Sequence, residues 1–176
     1  VDNIKCNYGD EHDFVGIKFK YNRKTDNVSL FIGGMILSVI DDLGMTGKEH
    51  AKTPAGANLF KLLDDDKVKK LDKKRKEIFH SVVQKISYIS QRVRWDLGTA
   101  VSFLKSRVHF ADEYDWAKLM RLAAYMNSTK ELGLTLGVGN KMGVLASIDA
   151  SHAVYDNARS QGGLGITLGR GAVRAR

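Results

Sequence analysis

Between Glu77 and Ala123 the apolar residues recur every three or four positions, whereas near the start of the chain, over residues 14–32, they recur every two. Phe79, Val82, Val83, Ile86 and Ile89 make one stripe; Leu97, Ala100, Val101, Leu104 and Val108 make a second; Trp116, Leu119, Met120 and Ala123 make a third. A helical period repeated three times in succession predicts three amphipathic helices packed as a small bundle. Asp112, with Asp115 following it, reads as the N-cap and acidic first turn of the third. These stripes read as core, and nothing in them suggests a cofactor box.

Upstream, `FVGIKFKYNRKTDNVSLFI` (residues 14–32) alternates, with Val15, Ile17, Phe19 and Tyr21 on one parity and Lys18 and Lys20 on the other. It predicts a β-hairpin turning at `RKTDN`, with one buried and one wet face. `MILSVIDDLGM` predicts a short helix ending at Gly44, and `TGKEHAKTPAGAN` a loop. Downstream, `LGLTLGVGNKMGVLASI` returns to strand. Gly137, Gly139 and Gly143 are one position off the dinucleotide fingerprint and lead into a strand instead of a helix, so that reading is rejected. The fold class expected is α+β: a β-hairpin, a helical bundle, then the edge of an incomplete mixed sheet.

With 176 residues the chain is long enough for one ordinary core or two small units. No apolar run is long enough to span a membrane, and the first residues lack a signal-peptide pattern. The single cysteine, Cys6, forms no internal disulfide and is consistent with a reducing, intracellular compartment, cytoplasmic or nuclear. The five histidines are scattered without ligand spacing, so no structural metal is expected. A net charge of +8 attracts phosphate backbones, and equally suits an acidic membrane or no partner in particular. The run `KLLDDDKVKKLDKKRK` (61–76), with eight basic and four acidic residues, reads as a solvated linker or helix face, the usual case for charge runs, or as a phosphate-contacting segment.

Taken in order, four stretches carry a resemblance. `HDFVGIKF` with its hairpin, the following helix and `KTPAG` resembles the end of a copia-type LTR retrotransposon reverse transcriptase, Phe14-Val15-Gly16-Ile17 standing where that family opens its primer-gripping hairpin. `FHSVVQKISYISQRVRWDLGTAVSFL` resembles the next helical pair, with Arg94-Trp95-Asp96 at the joint. `DEYDWAKLMRLAAYMNSTKELGLTL` resembles the helix and strand after it, and `IDASHAVYDNARSQGGLGITLGRGAV` the opening of the element's RNase H domain. `FIGGMILSV` and `NARSQGG` depart from the family pattern, through lineage divergence or decay.

The resemblance implies four segments: a primer-grip-like hairpin and helix (1–56), a charged linker (57–76), a helical thumb- or connection-like part (77–138) and the start of an RNase H-like domain (139–176). It implies an RNA–DNA hybrid or duplex and the remainder of the Pol polyprotein as partners, and Mg²⁺ as cofactor of the complete enzyme. RNase H chemistry uses two metals about 4 Å apart, held by converging carboxylates. By resemblance Asp149, after `VLASI`, is the first of these and so both catalytic and metal-ligating; on the residues alone it only caps a turn. The family's other acids are expected beyond Arg176, which reads as the end of the second strand, and the polymerase aspartates upstream of Val1, a start that hints at excision from something longer. Asp41-Asp42 sit in a helical pattern, Asp64 to Asp66 in the charge run, and Asp156 suits a turn hydrogen bond. The candidate backbone contacts are Lys18, Lys20, Arg92, Arg94, Lys105, Arg107, Arg170 and Arg174, each individually consistent with plain surface. The function expected is therefore template–primer binding without complete catalysis. The alternatives are a non-enzymatic basic nucleic-acid-binding module or a decayed remnant. An exposed sheet edge after Arg176 is expected to favour self-association.

Overall fold

The computed structural model describes residues 6, 8–63, 69–139, 143–155 and 158–175. It is a mixed α+β fold: among the described residues, four α-helices and two antiparallel sheets. The first sheet begins with β1 (Glu11–Phe14), β2 (Ile17–Asn22) and β3 (Asn27–Phe31). Helix α1 (Gly33–Asp42) follows. It ends as its sequence predicts: Gly44 has φ +63°, its N–H donates to the Asp41 carbonyl, and the Met45 N–H donates to that of Ile40, the Schellman arrangement.

The expected hairpin is present, but of the face expected to be buried only Ile17 is buried, with Phe19 half-buried and Tyr21 exposed. Val15 and Gly16 are not strand residues. They form the two-residue turn between β1 and β2, with φ +52° and +76° and Phe14 opposite Ile17. Val15 therefore leaves the buried parity and is 60% exposed, while Ile17 is buried. A β-branched residue at positive φ is uncommon, so the alternation by itself continues straight through it.

Helices α2 (Lys73–Arg92), α3 (Gly98–Arg107) and α4 (Glu113–Ser128) form the expected bundle, with a 3₁₀ turn at Trp95–Leu97 between the first two. Asp72 caps α2 through the Arg75 N–H, and Asp112 caps α4 through the N–H groups of Tyr114 and Asp115. The stripe residues Phe79, Val82, Ile86, Ile89, Leu119 and Ala123 are fully buried. A single apolar cluster runs from Ile17 through Ile36, Leu59 and Leu71 to Met126. It crosses the boundaries expected at 56 and 76, because the helices need the hairpin and α1 to cover their stripes. Asp64 to Asp66 lie outside the described residues.

Strand β4 (Leu134–Val138) returns to pair with β3, Ser29 opposite Thr135, so the last part of the expected helical segment completes the N-terminal sheet. The second sheet holds β5 (Leu145–Ser151), β6 (Gln161–Thr167) and β8 (Ala172–Ala175), in that order across the sheet. Between β6 and β8 the chain crosses to the first sheet as β7 (Gly169–Arg170), which pairs with β4 at its edge. The chain thus runs past the second strand of its C-terminal hairpin into two further strands. Gly169 (φ +151°) and Gly171 (φ +74°) make the crossing possible. A Cβ on Gly171 would collide with the Thr135 carbonyl of β4. Gly171→Ala is expected to cost about 1–3 kcal/mol. Gly162→Ala, where a Cβ meets open space, should leave the melting curve unchanged and serves as the control.

Candidate functional site

The helical bundle and the second sheet enclose a cavity of about 580 Å³. Helix α2 gives it Ser87, Ser90 and Gln91; the helix joint and α3 give it Trp95, Thr99, Ser102 and Lys105; β5 gives it Asp149 and Ser151. Ser87 and Ser90 are buried at stripe positions, four residues after Val83 and Ile86. Polar residues in an apolar phase are the signal that points to this cavity from sequence. The Ser87 hydroxyl accepts from the Lys105 ammonium (3.2 Å) and from the Gln91 amide (3.3 Å), tying the two helices at the cavity wall.

The second sheet is fastened to the bundle by aromatic rings. Phe103 of α3 is 1% exposed, meets Phe60 edge-on at 5.8 Å and stacks with Tyr155 at 6.1 Å. Tyr155, in the β5–β6 connection, also donates its hydroxyl to Gln161 (2.8 Å). These contacts bring Asp149, with neighbouring Ala150 and Ser151, onto the cavity wall.

Two of the sequence-predicted site residues, Asp149 and Lys105, therefore line one cavity. Asp149 is exposed, lies opposite Gly163 in the sheet, and accepts from the Ala150 N–H (2.8 Å). A Mg²⁺ site needs several carboxylate oxygens. Among the described residues no three metal-ligating side chains gather, and Asp149 is the one carboxylate on the cavity wall. The described residues thus do not make the Mg²⁺ site, and no metal-dependent step is derived. Asp156 lies outside the described residues. Asp41 and Asp42 are in α1, as their pattern suggests, and Asp42 pairs with Lys85 (2.5 Å).

The candidate phosphate contacts divide. Lys18, Arg92, Arg170 and Arg174 are exposed, and Lys105 is exposed on the cavity rim. Lys20 is exposed and pairs with Glu11 (2.9 Å). Arg94 is a correction: it is 1% exposed. Its guanidinium makes a two-pronged contact with Asp96 (2.9 and 2.7 Å) and donates to the carbonyl and hydroxyl of Thr129 (3.0 and 2.8 Å). No donor is left facing solvent for a phosphate. Arg107 is half-buried, and its Nε and Nη2 are engaged by Asp115 (2.8 Å) and Asp112 (3.3 Å). Burial pushes the Asp115 carboxyl above its usual range even with Arg107 beside it, and burial lowers the neighbouring Lys118 ammonium.

Exposed basic residues stand on and near α2. The Tyr88 hydroxyl donates to the Val15 carbonyl at the hairpin turn (3.1 Å), and the Arg92 guanidinium lies 5.5 Å from the Tyr88 ring centre. Gln91 and Lys105 both reach the buried Ser87 hydroxyl beneath this face, at the cavity wall. Lys18 stands beside the turn, across from Asp13.

Among the described residues no helix is long and apolar enough to cross a membrane. Comparison of the chain with protein-family models, with curated proteins and with solved structures gave no match.

Proposed function

We propose that this chain corresponds to the end of a copia-type reverse transcriptase running into its RNase H domain, and that its own activity is to bind template–primer nucleic acid, an RNA–DNA hybrid or a duplex. The observation that carries the reading is the set of exposed cations Lys18, Arg92 and Lys105, with Lys18 beside the hairpin turn on which Tyr88 docks, Arg92 over the Tyr88 ring and Lys105 at the cavity holding Asp149. Exposed cations spaced around one helix suit a phosphate backbone. Arg170 and Arg174, on the strands that stitch the two sheets together, add exposed positive charge. The reading extends to Mg²⁺ for the complete enzyme and to other parts of the polyprotein as partners. The reading is of binding without complete catalysis, and a non-enzymatic basic module is the alternative.

Fluorescence anisotropy with an RNA–DNA hybrid and a control DNA duplex, across a salt series, tests this. Binding should weaken linearly in log–log form as salt rises, with no gain from Mg²⁺. Replacing Lys18, Arg92 and Lys105 by alanine should flatten the slope by about 0.9 for each phosphate that is no longer neutralised. Absence of binding at the lowest salt, or an unchanged slope in the triple variant, would sink the reading.

A further inference from the structure

Among the described residues, four strands present an open edge: β1 and β7 in the first sheet, β5 and β8 in the second. Three of them are defended. β1 carries Glu11, His12 and Asp13; β7 is two residues long; β8 carries Arg174 and meets β6 through a register shift at Ile166/Thr167. β5 is different. It is seven residues long, pairs with β6 in unbroken register, and carries a single charge, Asp149, with no lysine, arginine or proline. All seven residues are exposed, Leu145 by 65% and Ile148 by 79%. A strand of this kind is a template for another strand.

The phase of its open hydrogen-bonding groups can be read from one contact. The Ala150 N–H donates to the carboxylate of Asp149, its own neighbour, so it points away from β6. Strand alternation then directs the N–H and C=O groups of Ala146, Ile148 and Ala150 to the open edge. An antiparallel copy of β5 about a two-fold axis at Ile148 matches that phase. Ile148 meets Ile148 of the second copy, Ala146 meets Ala150, and Ser147 meets Asp149. All the outward groups pair, the apolar side chain at the axis meets its own kind, and each carboxylate faces a hydroxyl donor and not the other carboxylate.

We propose that two copies of this chain associate through β5, antiparallel and centred on Ile148. The contact is self-complementary, so a second copy is the partner it fits. It also brings Ser147 of each copy beside Asp149 of the other, at the lip of both cavities. This proposal is independent of the nucleic-acid reading. It moves the self-associating edge from the end of the chain to β5.

Sedimentation velocity under reducing conditions tests it, over a range reaching about 100 µM, tenfold above the roughly 10 µM Kd of a small interface. The expected result is a concentration-dependent dimer. Ile148→Lys should raise the Kd at least tenfold, because it places two ammonium groups directly opposite each other. Its melting curve should match the parent, since the side chain is exposed. Val173→Lys, on the β8 edge, should dimerise like the parent. In a Cys6→Ser background, Ile148→Cys should oxidise to a disulfide-linked dimer, because residues paired across the axis sit about 5.5 Å apart at Cα, within disulfide reach. A monomer throughout the range overturns the proposal. So does a dimer, or an open-ended series of oligomers, that Ile148→Lys leaves intact.

Discussion

Replacing Arg94 by alanine is expected to lower the melting temperature by roughly 10 °C. The side chain is buried at the joint between α2 and α3, and its guanidinium ties Asp96 to the C-terminal end of α4 through Thr129. Tyr125 adds a hydroxyl to the same Asp96 oxygen (2.9 Å). Removing one partner from such a set leaves the others desolvated, at about 3 kcal/mol when the remaining carboxylate keeps some access to water. In a chain of this size each kcal/mol corresponds to roughly 2–4 °C. Arg94→Lys should recover only part of the loss, because an ammonium cannot make the two-pronged contact.

The same site gives the loss a pH signature. Burial pushes the Asp96 carboxyl up, but hydrogen bonding and charge from Arg94, with Tyr125, outweigh it and leave the carboxyl below its usual range. A carboxyl lowered on folding stabilises above its unfolded pKa, about 4, and loses that contribution as the pH falls through the folded value. The gap between parent and Arg94→Ala should therefore be full at pH 7 and narrow below about pH 4. Thermal melts of both proteins at neutral and acid pH check this. A gap that does not change with pH would mean that Arg94 acts through packing alone.

Phe103→Ala has the other large expected effect, a loss of about 3–5 kcal/mol. It empties a fully buried site in the bundle and removes the ring on which Phe60, Tyr155 and the Lys118 ammonium (4.3 Å) rest. Tyr155→Ala separates the two roles. Its ring belongs to the second sheet's connection, so its removal should speed amide exchange in β5 and β6 and leave α2 and α4 protected. Hydrogen-exchange mass spectrometry distinguishes the outcomes. Equal loss of protection in the helices would mean that the second sheet and the bundle open as one unit.

The helices are legible in the sequence because their apolar period is strong and their ends carry standard chemistry, Asp112 at one and Gly44 at another. What escapes is nonlocal or locally atypical. Val15 looks like a strand residue and sits at positive φ. The pairing of β3 with β4 joins residues more than 100 positions apart, as Ser29 and Thr135 show, and no local pattern encodes that. Arginine is rarely fully buried, so Arg94 reads as surface. Its burial depends on Asp96, two residues on and visible locally, and on Thr129, which is not. At the cavity, Asp149 and Lys105 are singled out only by the family resemblance, while Ser87 and Ser90 are hidden inside an apolar stripe.

The distance between β3 and β4 along the chain has a consequence during synthesis. Phe31 is translated 107 residues before Val138, from the strand ends Asn27–Phe31 and Leu134–Val138 (138 minus 31). At the usual 5–20 residues per second, β3 waits roughly 5–20 s before its second partner exists. Throughout that interval the nascent hairpin has an unpaired edge on β3, while α1 to α4 are all synthesised before β4 and can cover its apolar face. The order of translation thus requires the helices to shelter the hairpin before the sheet that contains it can close.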